Sequence, residues 1–188
     1  DWQLAGLEAP EGVAEATKHA MARSGSKARH ATGAVAGSAA ITKLIPMPAD
    51  LNDDDLESQV ELEAVNYIPY PIEEVSLDFE VLGPMPGNDE MVQVLLVASR
   101  SENVESRASV LELGGLVAKV MDVESFAIEN AFGLLGEVDR DSLVALVDIG
   151  ATVTTLHVLR DARTLYTREQ VFGGAGLSAI EELIFQLE

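Results

Sequence analysis

Residues 143–174 read LVALVDIGATVTTLHVLRDARTLYTREQVFGG and place an acidic residue and a glycine at the end of an apolar run. The run 143–147 is apolar throughout, which predicts a strand buried on both faces. Asp148 follows it, and Gly150 lets the backbone come close to a ligand because it has no Cβ. Residues 152–159 predict a second strand, and a short turn leads to a third. The stretch therefore predicts a three-stranded meander whose first turn carries a carboxylate and a glycine.

An Asp-x-Gly turn at a strand end has a structural and a functional interpretation. Both residues favour turns, so the pattern alone is typical of an ordinary strand end. A carboxylate beside a glycine also suits a phosphate-binding loop. The chain contains neither G-x-x-x-x-G-K-[ST] nor a G-x-G-x-x-G between a strand and a helix, so P-loop and dinucleotide-binding hypotheses lose support. Gly173 and Gly174, taken alone, predict only a flexible turn.

Composition excludes several classes of site. The 188 residues include no Cys and three His, which removes disulfides, thiolate catalysis and Cys-ligated zinc and leaves little for a His-built metal site. A formal net charge of −20 disfavours binding to nucleic acid or to an anionic lipid surface. No apolar run approaches the roughly 18 residues that a membrane span needs. Because the sequence opens at Asp1 without Met, we expect a piece of a longer protein.

Helical and strand patterns alternate along the chain, which predicts an α/β fold. The predicted helices cover 12–24, 52–68, 101–113 and 124–135, and the predicted strands cover 32–36, 39–46, 75–83, 91–99 and 116–123 before the meander. Pro46 and Pro48 are expected to end the strand that contains them, because proline cannot donate a ladder hydrogen bond. The strands 75–83 and 91–99 form a predicted hairpin.

The helix that starts after Asn52 has the clearest sequence signals. Asn52 is the predicted N-cap, and the three aspartates after it suit the positive end of the helix dipole. Leu56, Val60, Ala64 and Ile68 recur every four residues and predict the buried face. A calcium loop would also use aspartates, but the glycine that such a loop needs is absent, so a solvated helix start is the favoured interpretation.

The order of these elements carries a family resemblance. The helix VESFAIENAFGLL followed by VALVDIGATVTTLHVL resembles the linker helix and second phosphate loop of the actin, Hsp70 and FtsA superfamily. Within it, the block GSAAITKLIPMPADLNDDDLESQVELEAVNYIPYPIEEVSLDFEVLG (37–83), together with the stretch from 144 to 174, resembles the PilM family of type IV pilus assembly proteins. The resemblance covers about residues 28–175.

This resemblance implies an actin-like fold built from two RNase H-like halves, with a small FtsA-like subdomain inserted in the first. It implies these segments: part of the first half in 1–42, the inserted subdomain in 43–120, the linker helix in 121–140 and the start of the second half in 141–188. It further implies a protein that binds ATP with Mg²⁺ and grips the N-terminal cytoplasmic tail of PilN. Such a protein would be cytoplasmic and held at the inner membrane through its partners.

Site residues follow from the resemblance by motif match. The nucleotide-binding set is Asp148, Gly150, Ala151, Thr152, Gly173 and Gly174. Asp148 is expected near the metal and its waters, and Glu124 lies at the helix start that the chaperones mark with a Glu-Pro pair. Ser125 replaces that proline here. The adenosine-holding segment and the first phosphate loop of the superfamily are not visible in this sequence.

The phosphate loop departs from the superfamily pattern Asp-x-Gly-Gly-Gly-Thr-x-Asp. Ala151, Thr152 and Val153 occupy its glycine-threonine part, and Thr155 stands at the later acid. A hydroxyl cannot accept a proton from attacking water as a carboxylate does, so we expect nucleotide binding with weak or no hydrolysis. Two alternatives remain open: an FtsA-like polymer-forming protein of cell division, and a scaffold that works without nucleotide.

The segment NYIPYPIEEV offers a candidate partner-binding surface. Tyr67, Ile68 and Tyr70 stand beside prolines that favour an extended backbone, and amphipathic aromatic side chains are enriched in interfaces. The competing interpretation is that these side chains simply pack under the strand that follows.

Overall fold

The structure is a computed structural model that describes residues 10–135, 142–161, 163–174 and 176. Its contacts divide the described residues into two units, one that ends at Met121 and one that begins at Asp122. Each unit is described by itself. Within the described ranges, no helix combines the length and the apolar character needed to cross a bilayer.

A three-stranded antiparallel sheet forms the best-packed part of the first unit. Its strands are β2 (Ala40–Pro48), β3 (Val75–Met85) and β4 (Asn88–Arg100), in the spatial order β2-β4-β3. The predicted hairpin is confirmed: Met85 pairs with Asn88, and Gly87 takes a φ of 81° in the two-residue turn. One face of the sheet is covered by α2 (Asp53–Ala64), so the strands alternate between core and solvent.

Helix α2 begins and packs as predicted. The Asn52 side chain accepts a hydrogen bond from the Asp55 amide at 3.0 Å, which satisfies one of the free donors of the first turn. The predicted stripe is the buried face, and it meets the core-facing side chains of β2 and β4. The core consists of Ile45, Met47, Leu56, Val60, Ala64, Ile68, Val94, Leu96 and Ala98.

The expectation that Pro46 and Pro48 end their strand is correct for Pro48, the last residue of the strand, and wrong for Pro46. Strand β2 continues to Pro48, with Pro46 opposite Gln93. Because β2 has a neighbour only on its β4 side in the described sheet, one edge is free of ladder bonds. Ala49 donates its amide to Glu90 at 2.9 Å, and bonding direction alternates along a strand, so the two proline nitrogens face the free edge.

The remaining elements of this unit are two helices and a pair of strands. They are α1 (Pro10–Ser24), β1 (His30–Val35), α3 (Ser101–Leu113) and β5 (Val117–Val123), with β1 paired to β5. Helix α3 packs on α1 and β1. The three-stranded sheet and α2 occupy 40–100, between β1 and α3 in the chain.

Small corrections concern which helix faces are buried. In α1 helical spacing predicts an inner face with Val13, Ala16 and Ala20, but the buried residue is Ala14, and Ala16 and Ala20 are exposed. In α3 Val110 is buried, and the predicted inner residue Leu113 is 52% exposed. Apolar residues are spread around these helices, so their spacing does not single out one face.

The second unit contains a helix and an antiparallel meander. Helix α4 (Glu124–Gly133) precedes β6 (Leu143–Ile149), β7 (Thr154–Arg160) and β8 (Arg163–Gln170), in the spatial order β6-β7-β8. The meander is confirmed, but β6 is not buried on both faces: Leu143 is 58% and Val147 59% exposed. It is an edge strand in the described sheet, with its alternate residues turned outward. Part of the predicted linker helix, 136–140, lies outside the described residues.

In α4 the buried residue is Phe132, whereas Leu134, which the spacing placed on the inner face, is 87% exposed. Leu134 lies just beyond the last residue of the helix, so the helical spacing no longer sets its direction. Glu129 contributes to the packing of α4 on β8, because its Oε1 accepts a hydrogen bond from the Thr164 amide at 2.6 Å.

Candidate functional site

Three side chains of the meander lie in one row at the end of the sheet. Asp148 of β6 pairs with Thr155 of β7, and Thr155 pairs with Glu169 of β8. Directly opposed residues of an antiparallel pair project to the same face, with Cβ atoms about 4.5–5.5 Å apart. Asp148 is exposed, and the other two are half-buried. The sequence pattern singles out Asp148 and Thr155 but not Glu169, because counting from the 161–163 turn pairs Thr155 with Arg168, and only the register shift between Val158 and Leu159 brings Glu169 opposite Thr155.

The turn between β6 and β7 is closed by its own backbone. The Gly150 amide donates to the Val153 carbonyl at 3.0 Å. A Cβ on Gly150 would lie 2.8 Å from that carbonyl oxygen, closer than real Cβ contacts allow. The glycine is therefore required for the turn itself, whether or not a ligand approaches it.

The segment after β8 packs directly onto this turn. The Gly174 amide donates to the Gly150 carbonyl at 2.9 Å, and the Thr154 hydroxyl donates to the Phe172 carbonyl at 2.7 Å. A Cβ on Gly173 would lie 2.5 Å from the Ala151 carbonyl carbon and oxygen, so only glycine fits there. We call residues 148–154 with 172–174 the double loop. It brings together all six residues that the resemblance assigned to nucleotide binding.

The double loop has the chemical groups that a magnesium-bound phosphate needs. Ala151 and Thr152 are exposed at its tip, and none of the bonds that close the loop uses their amides. Consecutive backbone amides bind anions, and Mg²⁺ is commonly held by one or two carboxylates together with substrate phosphates. The residues present therefore fit the phosphate and metal end of ATP·Mg²⁺, with Asp148 as the carboxylate.

A metal held by protein side chains alone has less support. In the described part of the chain, no group of three or more His, Cys, Asp or Glu is placed to hold an ion. Glu124 opens α4 and is exposed. A magnesium ion at Asp148 would thus depend on oxygens from the nucleotide and from water.

His157 lies in the next row of the same face of the sheet. It is 2% exposed, and its Nδ1 lies 3.2 Å from the Thr167 hydroxyl, while Nε2 has no hydrogen-bond partner among the described residues. No predicted site includes a histidine, and the sequence signal for the burial of His157 is its position two residues before the apolar Leu159. Leu159 is fully buried, and alternate residues of a strand share a face.

The candidate partner-binding residues fall in two environments. Tyr67 is 41% and Tyr70 44% exposed, whereas Ile68 is 6% exposed and belongs to the core. For Ile68 the packing interpretation describes the structure, because a partner could reach it only if the core opened. Tyr70 is covered on one side by Arg100, whose guanidinium carbon lies 5.5 Å from the ring centroid.

Comparisons with known proteins agree with the resemblance. The family model described as type IV pilus assembly protein PilM matches residues 5–186. A solved structure titled PilM-PilN type IV pilus biogenesis complex contains a chain with 32% sequence identity and a TM-score of 0.73, and the match covers 96% of this chain. It covers 54% of that chain, so the present sequence spans about half the length of its relative.

Two further solved structures are more distant. A protein with an actin-like ATPase fold and unknown function from Bacteroides thetaiotaomicron matches at 13% identity and a TM-score of 0.38, covering 82% of this chain and 52% of that one. The ethanolamine utilization protein EutJ from Carboxydothermus hydrogenoformans matches at 16% identity and a TM-score of 0.37, covering 82% and 57%. Neither supports an argument at that similarity. The family match and the 32% identity show that the chain belongs to the PilM family of type IV pilus assembly proteins, with the actin-like α/β fold implied by the resemblance.

Proposed function

We propose that this protein is an actin-like, ATP-binding component of the type IV pilus assembly platform that binds the N-terminal cytoplasmic tail of PilN. The observation that carries the proposal is the similarity over 96% of the chain to a PilM chain solved with PilN. In this role the protein is cytoplasmic and is held at the inner membrane by its partner. The double loop is the phosphate end of the nucleotide site.

Within that site, five residues of the double loop have defined tasks. The amides of Ala151 and Thr152 donate to phosphate oxygens, and the Asp148 carboxylate holds magnesium or its waters. Gly173 and Gly174 keep the two segments in contact, so that the tip holds its shape before a ligand arrives. When bound, Mg²⁺ neutralises charge on the phosphates. Thr155 lacks a proton-accepting carboxylate, and the nucleotide therefore acts as a switch or as a structural ligand.

Titration of the full-length protein with a fluorescent ATP analogue tests the nucleotide proposal. We expect saturable binding that requires magnesium and is lost or strongly weakened in Asp148→Ala. Glu124→Ala is the matched control for removing an exposed carboxylate, and a small effect there would assign the metal contact to Asp148. The proposal fails if the wild-type protein shows no magnesium-dependent saturation.

The PilN tail docks beside Tyr70 in this proposal. The ring is half-exposed, stands next to prolines and already accepts one cation on its face, which suits a peptide-binding surface. A peptide with the N-terminal residues of the cognate PilN should bind the wild-type protein and bind Tyr70→Ala about tenfold or more weakly, as for a central aromatic contact. Tyr166→Ala, an exposed tyrosine of the second unit, is the control. Equal affinity of Tyr70→Ala and wild type would remove Tyr70 from the site.

One observation favours a second candidate, a scaffold that works without nucleotide. The missing Cβ atoms of Gly150 and Gly173 face protein carbonyls, so backbone packing alone explains both glycines. In this alternative the double loop has only a structural role and binds no nucleotide. PilN binding then persists unchanged in Asp148→Ala. A PilN affinity that changes with added ATP would count against it.

A further inference from the structure

A groove lies beside the Tyr70–Arg100 pair, at the start of α3. It has a volume of about 540 Å³ and is lined by three carboxylates, three serines and one cation: Glu74, Glu102, Glu105, Ser101, Ser106, Ser109 and Arg100. The groove is wide and open to solvent, and its volume leaves room for one long side chain. The groove carries an excess of two negative charges over its own cation.

Arg100 links this groove to the tyrosine. Its guanidinium lies over the Tyr70 ring at 5.5 Å, and its Nη2 lies 3.1 Å from Glu102 Oε2. The two charged side chains are 44% and 75% exposed, and ion pairs with such exposure contribute little and exchange readily with other cations. The contact between Arg100 and Glu102 can therefore be replaced by a contact with an incoming cation.

The other two carboxylates of the groove have no cation of their own. The ion pairs found among the described residues leave Glu74 and Glu105 without a cationic partner. The start of α3 is held to β3, because the hydroxyl oxygens of Ser76 and Ser101 lie 3.1 Å apart. An anionic ligand would be repelled by three carboxylates here, whereas a cation would be attracted by all three.

We propose that the groove is a subsite for one Lys or Arg side chain of the docked peptide, and that Arg100 takes the place of that cation while the groove is empty. The inference rests on the proposed docking of the PilN tail beside Tyr70. It adds that a peptide residue next to the one in contact with Tyr70 is basic. The bound side chain lies among Glu74, Glu102 and Glu105, and Arg100 moves off Glu102. Charge complementarity thus sets the register of the peptide.

The test uses fluorescence anisotropy with the full-length protein and two peptides. One is the N-terminal tail of the cognate PilN, and the other has every Lys and Arg replaced by Gln. The proteins are wild type, the double variant Glu74→Gln/Glu105→Gln, and Glu112→Gln, which changes an exposed carboxylate of the same helix outside the groove. Circular dichroism checks that the variants keep the wild-type melting temperature.

We expect the double variant to bind the natural peptide about fivefold more weakly than wild type does, with Glu112→Gln unchanged. The neutral peptide should bind wild type and double variant alike. For the natural peptide, the difference in affinity between these two proteins should shrink as salt rises from about 0.1 M to about 1 M. Arg100→Gln should bind the natural peptide more tightly than wild type, because the competing cation is gone.

Two results would overturn the subsite. One is an equal affinity of wild type and double variant for the natural peptide while Tyr70→Ala loses binding, which leaves the docking proposal intact. The other is weaker binding of the natural peptide to Arg100→Gln, which would make Arg100 a direct contact and not a placeholder. If neither peptide binds the wild-type protein, PilN docking itself fails and the subsite fails with it.

Discussion

At the scale of single residues, the double loop depends on positions where a side chain cannot be accommodated. Gly150 and Gly173 each face a backbone carbonyl at a distance that no Cβ tolerates. Both glycines are needed for the backbone packing of the double loop even without a ligand. The sequence alone could not distinguish this structural role from a role in ligand binding. A family motif predicted which residues matter, while the geometry gives the reason for two of them.

Gly173→Ala should destabilise the protein by about 1–3 kcal/mol, the usual cost of forcing atoms into a packed site. The new Cβ would lie 2.5 Å from the Ala151 carbonyl, and the clash is with backbone, which cannot rotate away. Gly133→Ala is the control, since a Cβ there meets nothing within 4 Å. Urea unfolding followed by circular dichroism measures both. Equal midpoints for Gly173→Ala and wild type would mean that the two segments do not pack as described.

Thr155→Asp should raise the rate of ATP hydrolysis by about tenfold or more, because it places a carboxylate directly opposite Asp148, one strand closer than Glu169, where it can accept the proton of attacking water. Thr155→Asn is the matched control, with a similar size and no basic oxygen. Stability should fall by about 0.2–1 kcal/mol, since like charges would then stand directly opposite one another. Phosphate release under single-turnover conditions measures the rate. An Asn variant as fast as the Asp variant would exclude proton transfer as the cause.

At the scale of elements, the sequence predicted most where local chemistry decides. The cap of α2, its buried stripe and the β3–β4 hairpin all follow from residues near in sequence, and all are confirmed. It failed where the answer depends on distant neighbours. Pro46 is tolerated because β2 has a free edge, and β6 looked like a central strand although one of its faces is open.

The same distinction holds for the candidate site. A motif match named Asp148 and the glycines, but only the register of β6, β7 and β8 adds Glu169 to the row. Tyr70 and Ile68 are two residues apart and share the same prolines, yet one is half-exposed and the other lies in the core. The stripe that starts in α2 and recurs every four residues predicts that Ile68 is buried, but it makes no prediction for Tyr70.

Asn52→Ala should lower the free energy of unfolding by about 1 kcal/mol, the typical cost of losing an N-cap. The Asp55 amide would lose its acceptor at the start of the helix that covers the sheet. Asn52→Ser should recover most of the loss, because the serine hydroxyl can accept the same bond. Thermal unfolding measures the series. Ala and Ser variants with the same stability would show that the cap contributes nothing beyond backbone preference.

At the scale of the whole molecule, the main features are membership of the PilM family and a strong excess of acidic residues. The chain carries 32 acidic and 12 basic residues, and a cationic segment of a partner is therefore attracted from a distance. It spans about half the length of the chain that it matches in the solved PilM-PilN complex, so the activity of the whole protein is a proposal. The described residues support the nucleotide part of that proposal most directly, because the double loop contains a carboxylate and exposed backbone amides.

An experimental structure of the full-length protein with a non-hydrolysable ATP analogue and magnesium is the most direct measurement. We predict phosphate oxygens within about 3 Å of the Ala151 and Thr152 amides. The Asp148 carboxylate should lie on the metal or on its water ligands. A nucleotide bound away from residues 148–154, or an Asp148 side chain turned away from the phosphates, would contradict the account.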